Sequence, residues 1–329
     1  MNRRSSHRQR SARRAIAERS KKHVAQPRAV HFERPSRIRQ LVRRWTMGGI
    51  IIGIIVVTIL IVGRGCTSTT TSTNGDNVTF DIPPAVLAFD GSRAFNLLAY
   101  QVGMGARVPN SKSHEQCATW LEEQLRKYTS QLITQEFTVS WEGTAYSLTN
   151  IIGVFTSANA SGWTLLLGAH WDSRPTADCD PDEQKRNEPV PGANDGASGV
   201  AVLLEIARVL SIHQPPVTVL IALFDGEDFG EWVYGSRYYV NHPAPYMPDA
   251  VIIIDMVGDA ELHINRELNS VERAPKLWNG VMSSVSALNL NEYFNNAPLR
   301  VFDDHVPFLD AGIPAIDIVD FDYPYWHTT

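Results

Sequence analysis

Cysteine is scarce in this chain. Three cysteines in 329 residues are too few for a small fold built around disulfide bonds. Apolar residues make up 43% of the chain and charged residues 20%, which excludes wholesale disorder and allows a sizeable buried core. The sequence has no internal repeat. A chain of this length therefore predicts one large globular domain or two small ones.

Basic residues are in deficit after residue 46. That part of the chain carries 15 Lys and Arg against 33 Asp and Glu, which argues against a nucleic-acid-binding core. Residues 1–46 show the opposite balance, with 15 Lys and Arg and only two acidic residues. This tail by itself has the charge to contact RNA, phosphate or anionic lipid. No nucleic-acid partner is expected for the rest of the chain.

An uncharged apolar run of 16 residues follows the basic tail, over residues 47–62. Trp45, Thr46 and Gly63 extend it to the length that a membrane-spanning helix needs. A cleaved signal peptide is the alternative interpretation. The basic segment is far longer than a signal-peptide n-region, however, and no small-x-small cleavage site follows the run. Cys66 follows Arg64 and Gly65, which make a poor lipidation site.

The sequence thus predicts an uncleaved transmembrane anchor over residues 47–63. Because positive charge is retained on the cytoplasmic side, residues 1–46 are expected in the cytoplasm and the domain after the anchor outside it. Residues 64–81 are rich in Ser, Thr and Asn and predict a polar linker. Asn77-Val-Thr79 and Asn159-Ala-Ser161 are glycosylation sequons if the source is eukaryotic. Cys117 and Cys179 either pair outside the cell or remain free thiols.

Residues 82–329 read as one catalytic domain in which apolar strands alternate with helices. Short apolar runs predict strands over residues 135–140, 150–155, 164–169, 217–224, 250–254 and 313–319. Amphipathic spacing predicts helices over residues 113–128, 197–210 and 278–288. This alternation is typical of an α/β fold with a mainly parallel central sheet covered by helices on both faces. In such folds ligands bind beyond the carboxyl ends of the strands.

Acidic and histidine side chains follow almost every predicted core strand. Each of them alone is explained as a turn former, a helix cap or a solvated charge. Together they predict a metal site, because imidazole and carboxylate without thiolate suit catalytic zinc, with manganese or cobalt as alternatives. The candidates are His170, Asp172, Asp195, Glu227, Asp228, Asp255 and His327.

Several short stretches carry a resemblance to a known family. They are His170-Trp-Asp-Ser173, Pro191-Gly-Ala-Asn-Asp195, Phe224-Asp-Gly-Glu-Asp228, Tyr234-Gly-Ser-Arg237, Asp303-Asp-His-Val-Pro-Phe-Leu309 and Trp326-His-Thr328. Over residues 85–329 the chain resembles the zinc exopeptidases, the co-catalytic aminopeptidases with a phosphorylase/hydrolase-like fold. It looks most similar to their glutaminyl-peptide cyclotransferase (glutaminyl cyclase) branch, because the fifth and sixth stretches are specific to that branch.

The resemblance implies a role for each matching position. Asp195, Asp228 and His327 fall on the zinc ligands, and Glu227 falls on the general acid/base. Asp255 and Asp303 fall on an acid pair that connects to this base by hydrogen bonds. Trp232 and Trp326 fall on the aromatic walls of the substrate pocket. His170 and Asp255 would complete a second metal site in a two-zinc aminopeptidase, with Asp172 orienting His170.

Three departures from the family pattern stand out. Asp228 replaces the Glu ligand of many relatives, and its shorter arm demands a closer backbone. Asp317 stands where familiar animal cyclases have His. The chain stops at Thr329, two residues after His327, whereas relatives continue, so we expect a truncated C-terminal end and a frayed hold on His327.

Three functions compete at this point. The first is a zinc-dependent cyclase that converts the N-terminal glutamine of a peptide or protein to pyroglutamate and releases ammonia. The second is a metal-dependent aminopeptidase, and the third is a non-catalytic binding domain that kept the fold. The retained Glu227 disfavours the third. One zinc between Trp232 and Trp326 favours the cyclase, whereas two metals bridged by Asp195 favour the peptidase.

Overall fold

The computed structural model describes residues 88–160 and 162–329. The predicted tail, anchor and linker lie outside the described residues, as do Cys66, Asn77 and Ser161. Within the described ranges, no helix is both long enough and apolar enough to cross a membrane.

A six-stranded mixed sheet forms the centre of the domain, in the strand order β1-β2-β4-β3-β5-β8. Strands β3, β4, β5 and β8 run parallel to their neighbours within this group. Two further strands, β6 and β7, pair in a small parallel sheet. The strands are β1 Gln131–Trp141, β2 Thr144–Phe155, β3 Thr164–His170, β4 Thr218–Phe224, β5 Ala250–Asp255, β6 Ile264–Glu267, β7 Phe294–Leu299 and β8 Ala315–Val319.

The predicted parallel sheet is found in the four strands that carry the site, but the other edge is antiparallel. Strands β1 and β2 form a hairpin, and β2 pairs antiparallel with β4. Glu142 and Gly143 make the two-residue turn, both with positive φ, as the right-handed twist of a hairpin favours. The apolar runs predicted both strands but not their pairing, because their own periodicity carries no information about direction.

Helices cover both faces of the sheet, as predicted. They are α1 Gly91–Gly103, α2 Lys112–Arg126, α3 Ala197–Ile212, α4 Tyr234–Asn241, α5 Leu268–Arg273, α6 Pro275–Ala287 and α7 His305–Asp310. Helices α1, α2 and α3 pack together on one face, and α4 and α7 pack together on the other. A side chain at Gly199 would collide with the carbonyl oxygen of Ile254, so this glycine lets the start of α3 lie against the end of β5.

Both described cysteines are free thiols. Cys117 lies on α2 and is fully buried in the core, whereas Cys179 is exposed in the loop after β3. Of the two alternatives for this pair, the structure therefore supports unpaired thiols.

A buried contact between a carboxylate and a histidine links the start of helix α5 to helix α7. Glu267 accepts hydrogen bonds from the backbone N–H groups of Asn269 and Ser270, and its Oε2 lies 3.3 Å from Nε2 of His305. Burial opposes ionisation of Glu267, but the contacts with His305 and the two N–H groups outweigh it and lower the pKa of Glu267 to about 2. The carboxylate is therefore ionised in the folded protein well below its ordinary range.

Because of these contacts of Glu267, the stability of the zinc-free protein depends on pH in the acidic range. Because the pKa of Glu267 is lower in the folded chain, its contribution is fully present above about pH 4.5 and is lost as pH falls towards 2. We expect Glu267→Gln to remove up to about 3 kcal/mol of unfolding free energy at pH 7 and to flatten its decline below pH 4. Urea unfolding at pH 7 and pH 3 measures this. An equally steep decline in the variant would contradict the assignment.

Candidate metal centre

The parallel strands bring the predicted site residues to one edge of the sheet. His170 ends β3 and Asp255 ends β5, while Glu227 and Asp228 lie in the loop after β4. Asp195 precedes the first turn of α3. Because β4, β3 and β5 are adjacent in the sheet, their carboxyl ends deliver these side chains to a common point.

The first ligand group consists of Asp195, Asp228 and His327, all buried, with donor atoms within 4.8 Å of one another. Nε2 of His327 lies 3.6 Å from Oδ2 of Asp228 and 3.9 Å from Oδ2 of Asp195. Two ligands of a tetrahedral zinc are about 3.4 Å apart, so these separations suit one ion. Oδ2 of Asp228 is buried without a hydrogen-bond donor among the described residues, which leaves it available for a metal. The donor set therefore fits zinc.

His327 has the protonation state that a ligand needs. Burial lowers the pKa of its ring to about 4, with a further contribution from the positive charge of Arg174. The imidazole is thus neutral at physiological pH, and Nε2 can offer a lone pair. The backbone carbonyl oxygen of His327 also accepts a hydrogen bond from the backbone N–H of Cys179, at 3.2 Å.

The C-terminal segment is tied down rather than frayed, contrary to expectation. Oδ2 of Asp180 accepts both the backbone N–H of Thr329, at 3.0 Å, and its hydroxyl, at 2.8 Å. The bond from Cys179 holds the carbonyl of His327, and the bonds from Thr329 hold the residues that follow it. The loop after β3 therefore supports the backbone at His327.

A second group shares Asp195 with the first. Nε2 of His170 lies 2.9 Å from Oδ1 of Asp195 and 3.3 Å from Oδ1 of Asp255. Asp195 thus presents one oxygen to each group, which is the bridging arrangement of a two-metal site. The separation of 2.9 Å is short for two ligands of one tetrahedral ion, but Nε2 of His170 is buried without a hydrogen-bond partner among the described residues, so it too is available for a metal.

Asp172 contacts His170, as predicted, and also binds the loop after β4. The distance from its Oδ1 to Nδ1 of His170 is 3.4 Å, at the long end for a hydrogen bond. The same carboxylate accepts the backbone N–H groups of Glu227, at 3.0 Å, and Asp228, at 3.2 Å. Asp172 therefore fixes the loop that carries the candidate base and one ligand.

Glu227, Asp255 and Asp303 line one cavity, whereas their connection by hydrogen bonds, which the resemblance implies, stays a prediction. Burial, together with the negative charge of Asp303, raises the pKa of Glu227 well above its usual value. Burial likewise raises the pKa of Asp255 to about 7, although the contact with His170 opposes the shift. Carboxyl groups whose pKa values are shifted towards neutrality are suited to proton transfer.

Asp317 lies behind this acid pair, in strand β8. Burial and the negative charges of Asp303 and Asp255 raise the pKa of Asp317 well above its usual value. This shift favours the neutral form of the Asp317 carboxyl group.

Aromatic side chains wall a cavity of about 440 Å³ in front of the ligands. The ring of Trp326 stacks on His327 at 3.6 Å between centroids, and the ring of Trp232 lies 6.3 Å from His327. Phe302 and Phe321, both partly exposed, continue the apolar lining towards solvent. The two predicted tryptophans therefore do flank the predicted ligands.

Three of the cavity-lining residues have backbone conformations that are unusual for their type. Trp232, Met256 and His327 have φ values of 67°, 50° and 53°, respectively. Left-handed conformations at bulky residues store strain and concentrate at functional sites. Hydrogen bonds hold the first of these turns, since the N–H of Trp232 donates to the carbonyl of Phe229 at 3.0 Å.

Sequence reasoning missed three supporting residues, Arg107, Arg174 and Asp178. Arg107 is fully buried and donates to the carbonyl oxygens of Trp171, Pro191 and Gly192, so it fixes the loop that leads to Asp195. Nothing local in the sequence marks it. Arg174, in contrast, directly follows the His170–Ser173 stretch, Asp178 lies four residues further on, and both contact the predicted ligands. The charges of Arg174 and Asp178, so close in sequence to His170, were the signal that could have identified them.

The family model for Peptidase family M28 matches residues 150–329, more than half of the chain. The chain belongs to peptidase family M28. This M28 chain is 34% identical to Tannerella forsythia glutaminyl cyclase, with a TM-score of 0.68 over 73% of this chain and 90% of that one. It is 35% identical to a Zn-dependent exopeptidase from Parabacteroides distasonis, with a TM-score of 0.69 over 73% and 89% of the two chains.

A Bacteroides thetaiotaomicron leucine aminopeptidase precursor is similar to the same extent, at 33% identity and a TM-score of 0.70 over 75% of this chain and 90% of that one. Curated relatives include glutaminyl-peptide cyclotransferases, of which the chain spans 48% and 65%. It spans only 25% of the first zinc metalloproteases that it matches. The comparisons confirm the glutaminyl cyclase resemblance, the zinc exopeptidase fold and zinc as the metal.

Proposed function

We propose that this protein is a zinc-dependent glutaminyl-peptide cyclotransferase. The observation that carries the proposal is a single well-spaced ligand group beside a pocket walled by Trp232 and Trp326. The ligand group is formed by Asp195, Asp228 and His327, and the two tryptophans line the cavity in front of it. Similarity to solved glutaminyl cyclases supports it. The substrate is a peptide or protein with N-terminal glutamine.

The residues of the chain divide the chemistry among them. When bound by Asp195, Asp228 and His327, zinc supplies a Lewis acid that polarises the γ-amide carbonyl of the glutamine. The walls of Trp232 and Trp326 hold the side chain folded, so that the α-amine lies close to Cδ, the carbonyl carbon of the side-chain amide. The new C–N bond closes the five-membered ring while the bond to the amide nitrogen breaks. The Glu227 carboxylate takes a proton from the amine and returns it to departing ammonia.

The second candidate is a metal-dependent aminopeptidase. It is favoured by the second group, in which Asp195 would bridge to His170 and Asp255, and by the similarity to a leucine aminopeptidase precursor. Glu227 would then take a proton from water instead of from the substrate's amine. The same fold supports both reactions, so the products must decide between them.

Two substrates offered side by side distinguish the reactions. The full chain in detergent, loaded with zinc, is incubated with glutaminyl-β-naphthylamide and leucyl-p-nitroanilide while ammonia and free arylamine are followed. The cyclase releases ammonia from the first substrate and no arylamine from either. Arylamine from the leucyl substrate without ammonia would replace the proposal with the aminopeptidase.

Trp232 is predicted to hold the substrate. We expect Trp232→Ala to raise KM about tenfold or more while zinc stays bound, because an aromatic wall contributes about 1–3 kcal/mol through buried area. Steady-state kinetics and zinc content measure this. Trp163→Ala, outside the cavity lining, is the control and should leave KM unchanged. Loss of zinc from the Trp232 variant would instead assign this side chain a structural role.

We also propose that residues 47–63 anchor the protein in a membrane, with the catalytic domain outside the cytoplasm. The charge asymmetry around this apolar run supports the proposal. The full chain should remain with membranes after alkaline carbonate washing and should be released by detergent. Release by carbonate alone would refute the anchor.

A further inference from the structure

Arg174 occupies the centre of a charged network on one side of the zinc ligands. It lies in the loop after β3, and its side chain is only 17% exposed. Nη1 donates to Oδ1 of Asp228 at 2.7 Å, while Nε and Nη2 donate to the two oxygens of Asp178 at 2.9 and 2.8 Å. One guanidinium therefore binds two carboxylates through three charge-assisted hydrogen bonds.

The first consequence concerns Asp228. Because Oδ1 is occupied by Arg174, only Oδ2 is left to face the ligand group. That oxygen lies 3.6 Å from Nε2 of His327 and has no donor among the described residues. Arg174 therefore presents Asp228 as a ligand through one oxygen and fixes which oxygen it is.

The second consequence concerns His327. Oδ1 of Asp178 lies 3.2 Å from Nδ1 of this ring, on the side opposite to the ligand nitrogen. A carboxylate at that position keeps the proton on Nδ1, so that Nε2 carries the lone pair, and it fixes the ring plane. Since Arg174 holds both oxygens of Asp178, it acts on His327 through Asp178.

The third contact reaches the pocket wall. The guanidinium carbon of Arg174 lies 5.0 Å from the centroid of the Trp232 ring, within the range of a cation–π interaction. A single side chain therefore connects two predicted ligands with one wall of the cavity. A lysine ammonium lacks the planar fork that binds two carboxylates and stacks on a ring at once.

We propose that Arg174 and Asp178 form a positioning pair that sets the geometry of Asp228 and His327 for zinc. Asp178 orients His327, and Arg174 orients both Asp178 and Asp228. The proposal rests on the zinc site of the proposed function but not on the reaction catalysed there. It is therefore tested on zinc binding without substrate.

The test uses the full chain in detergent, freed of metal. Zinc affinity is measured by competition with a chromophoric chelator, and ligand geometry is measured from the visible spectrum of the Co²⁺-loaded protein. The variants are Arg174→Gln, Arg174→Lys and Asp178→Asn. Arg273→Gln is the matched control, because it breaks an exposed 2.8 Å ion pair with Asp310 outside the cavity lining.

We expect Arg174→Gln and Asp178→Asn each to weaken zinc binding about 10- to 100-fold and to alter the Co²⁺ spectrum. Arg174→Lys should fall between them and the native chain. The double variant should bind zinc more tightly than the two losses multiplied together predict, since both residues act in one network. The control should bind zinc like the native chain.

Native zinc affinity and an unchanged Co²⁺ spectrum in Arg174→Gln or in Asp178→Asn would overturn the proposal. If Arg174→Gln does not fold, Asp178→Asn decides, because the Asp178 side chain is 46% exposed and tolerates substitution. If the native protein fails the cyclase assay but these variants lose zinc affinity as expected, the proposed reaction is refuted and the proposal of the positioning pair is retained.

Discussion

Glu227→Gln is expected to reduce kcat by a factor of about 10² to 10⁴ while the protein keeps its full zinc content. The amide has the size of the carboxyl group but cannot accept a proton from the substrate's amine. Glu227 is not among the three predicted ligands, and its backbone N–H remains bonded to Asp172 in the variant. The loss should therefore fall on turnover and leave the metal in place.

Glu231→Gln provides the matched control, because this exposed glutamate lies in the same loop, four residues away. Its kcat should equal that of the native enzyme. Steady-state kinetics with glutaminyl-β-naphthylamide and metal analysis of the same samples complete the test. Native turnover in Glu227→Gln would remove Glu227 from the reaction.

Zinc content is expected to respond very differently to substitution of His327 and of His170. His327→Gln should weaken zinc binding by more than the roughly 100-fold that loss of a supporting residue causes, because it deletes one of three protein ligands. His170→Gln should keep one equivalent of zinc, since His170 is not among the three ligands of the first group. Equilibrium dialysis followed by metal analysis separates these outcomes.

The exposed His263 serves as a control for substitution of His by Gln and should leave zinc content unchanged. Two equivalents in the native protein, falling to one in His170→Gln, would establish a two-metal site and favour the aminopeptidase. Retention of tight zinc by His327→Gln would show that the metal lies elsewhere.

The ligand types and their approximate place were predictable from local sequence. Continuous apolar runs predict buried strands, and the polar residues directly after them, such as His170 and Asp255, must lie at the carboxyl edge of a parallel sheet. The place of Asp228 was predictable from its neighbour Glu227 and from the strand that precedes them. The antiparallel partner of β4 was not predictable in this way, because pairing joins segments whose own patterns are independent.

Local sequence patterns predict an α/β fold and a carboxylate–imidazole donor set, because side-chain periodicity and the residues after each strand are encoded locally, while the short motifs carry the resemblance to the zinc exopeptidases. Which donors face one another depends on the folded chain. Arg174 meets Asp228 across 54 residues, and Asp178 meets His327 across a far longer stretch. No local pattern records such encounters, since they arise when separate loops pack at one sheet edge. The spacing of the donor atoms in both ligand groups is set by that packing.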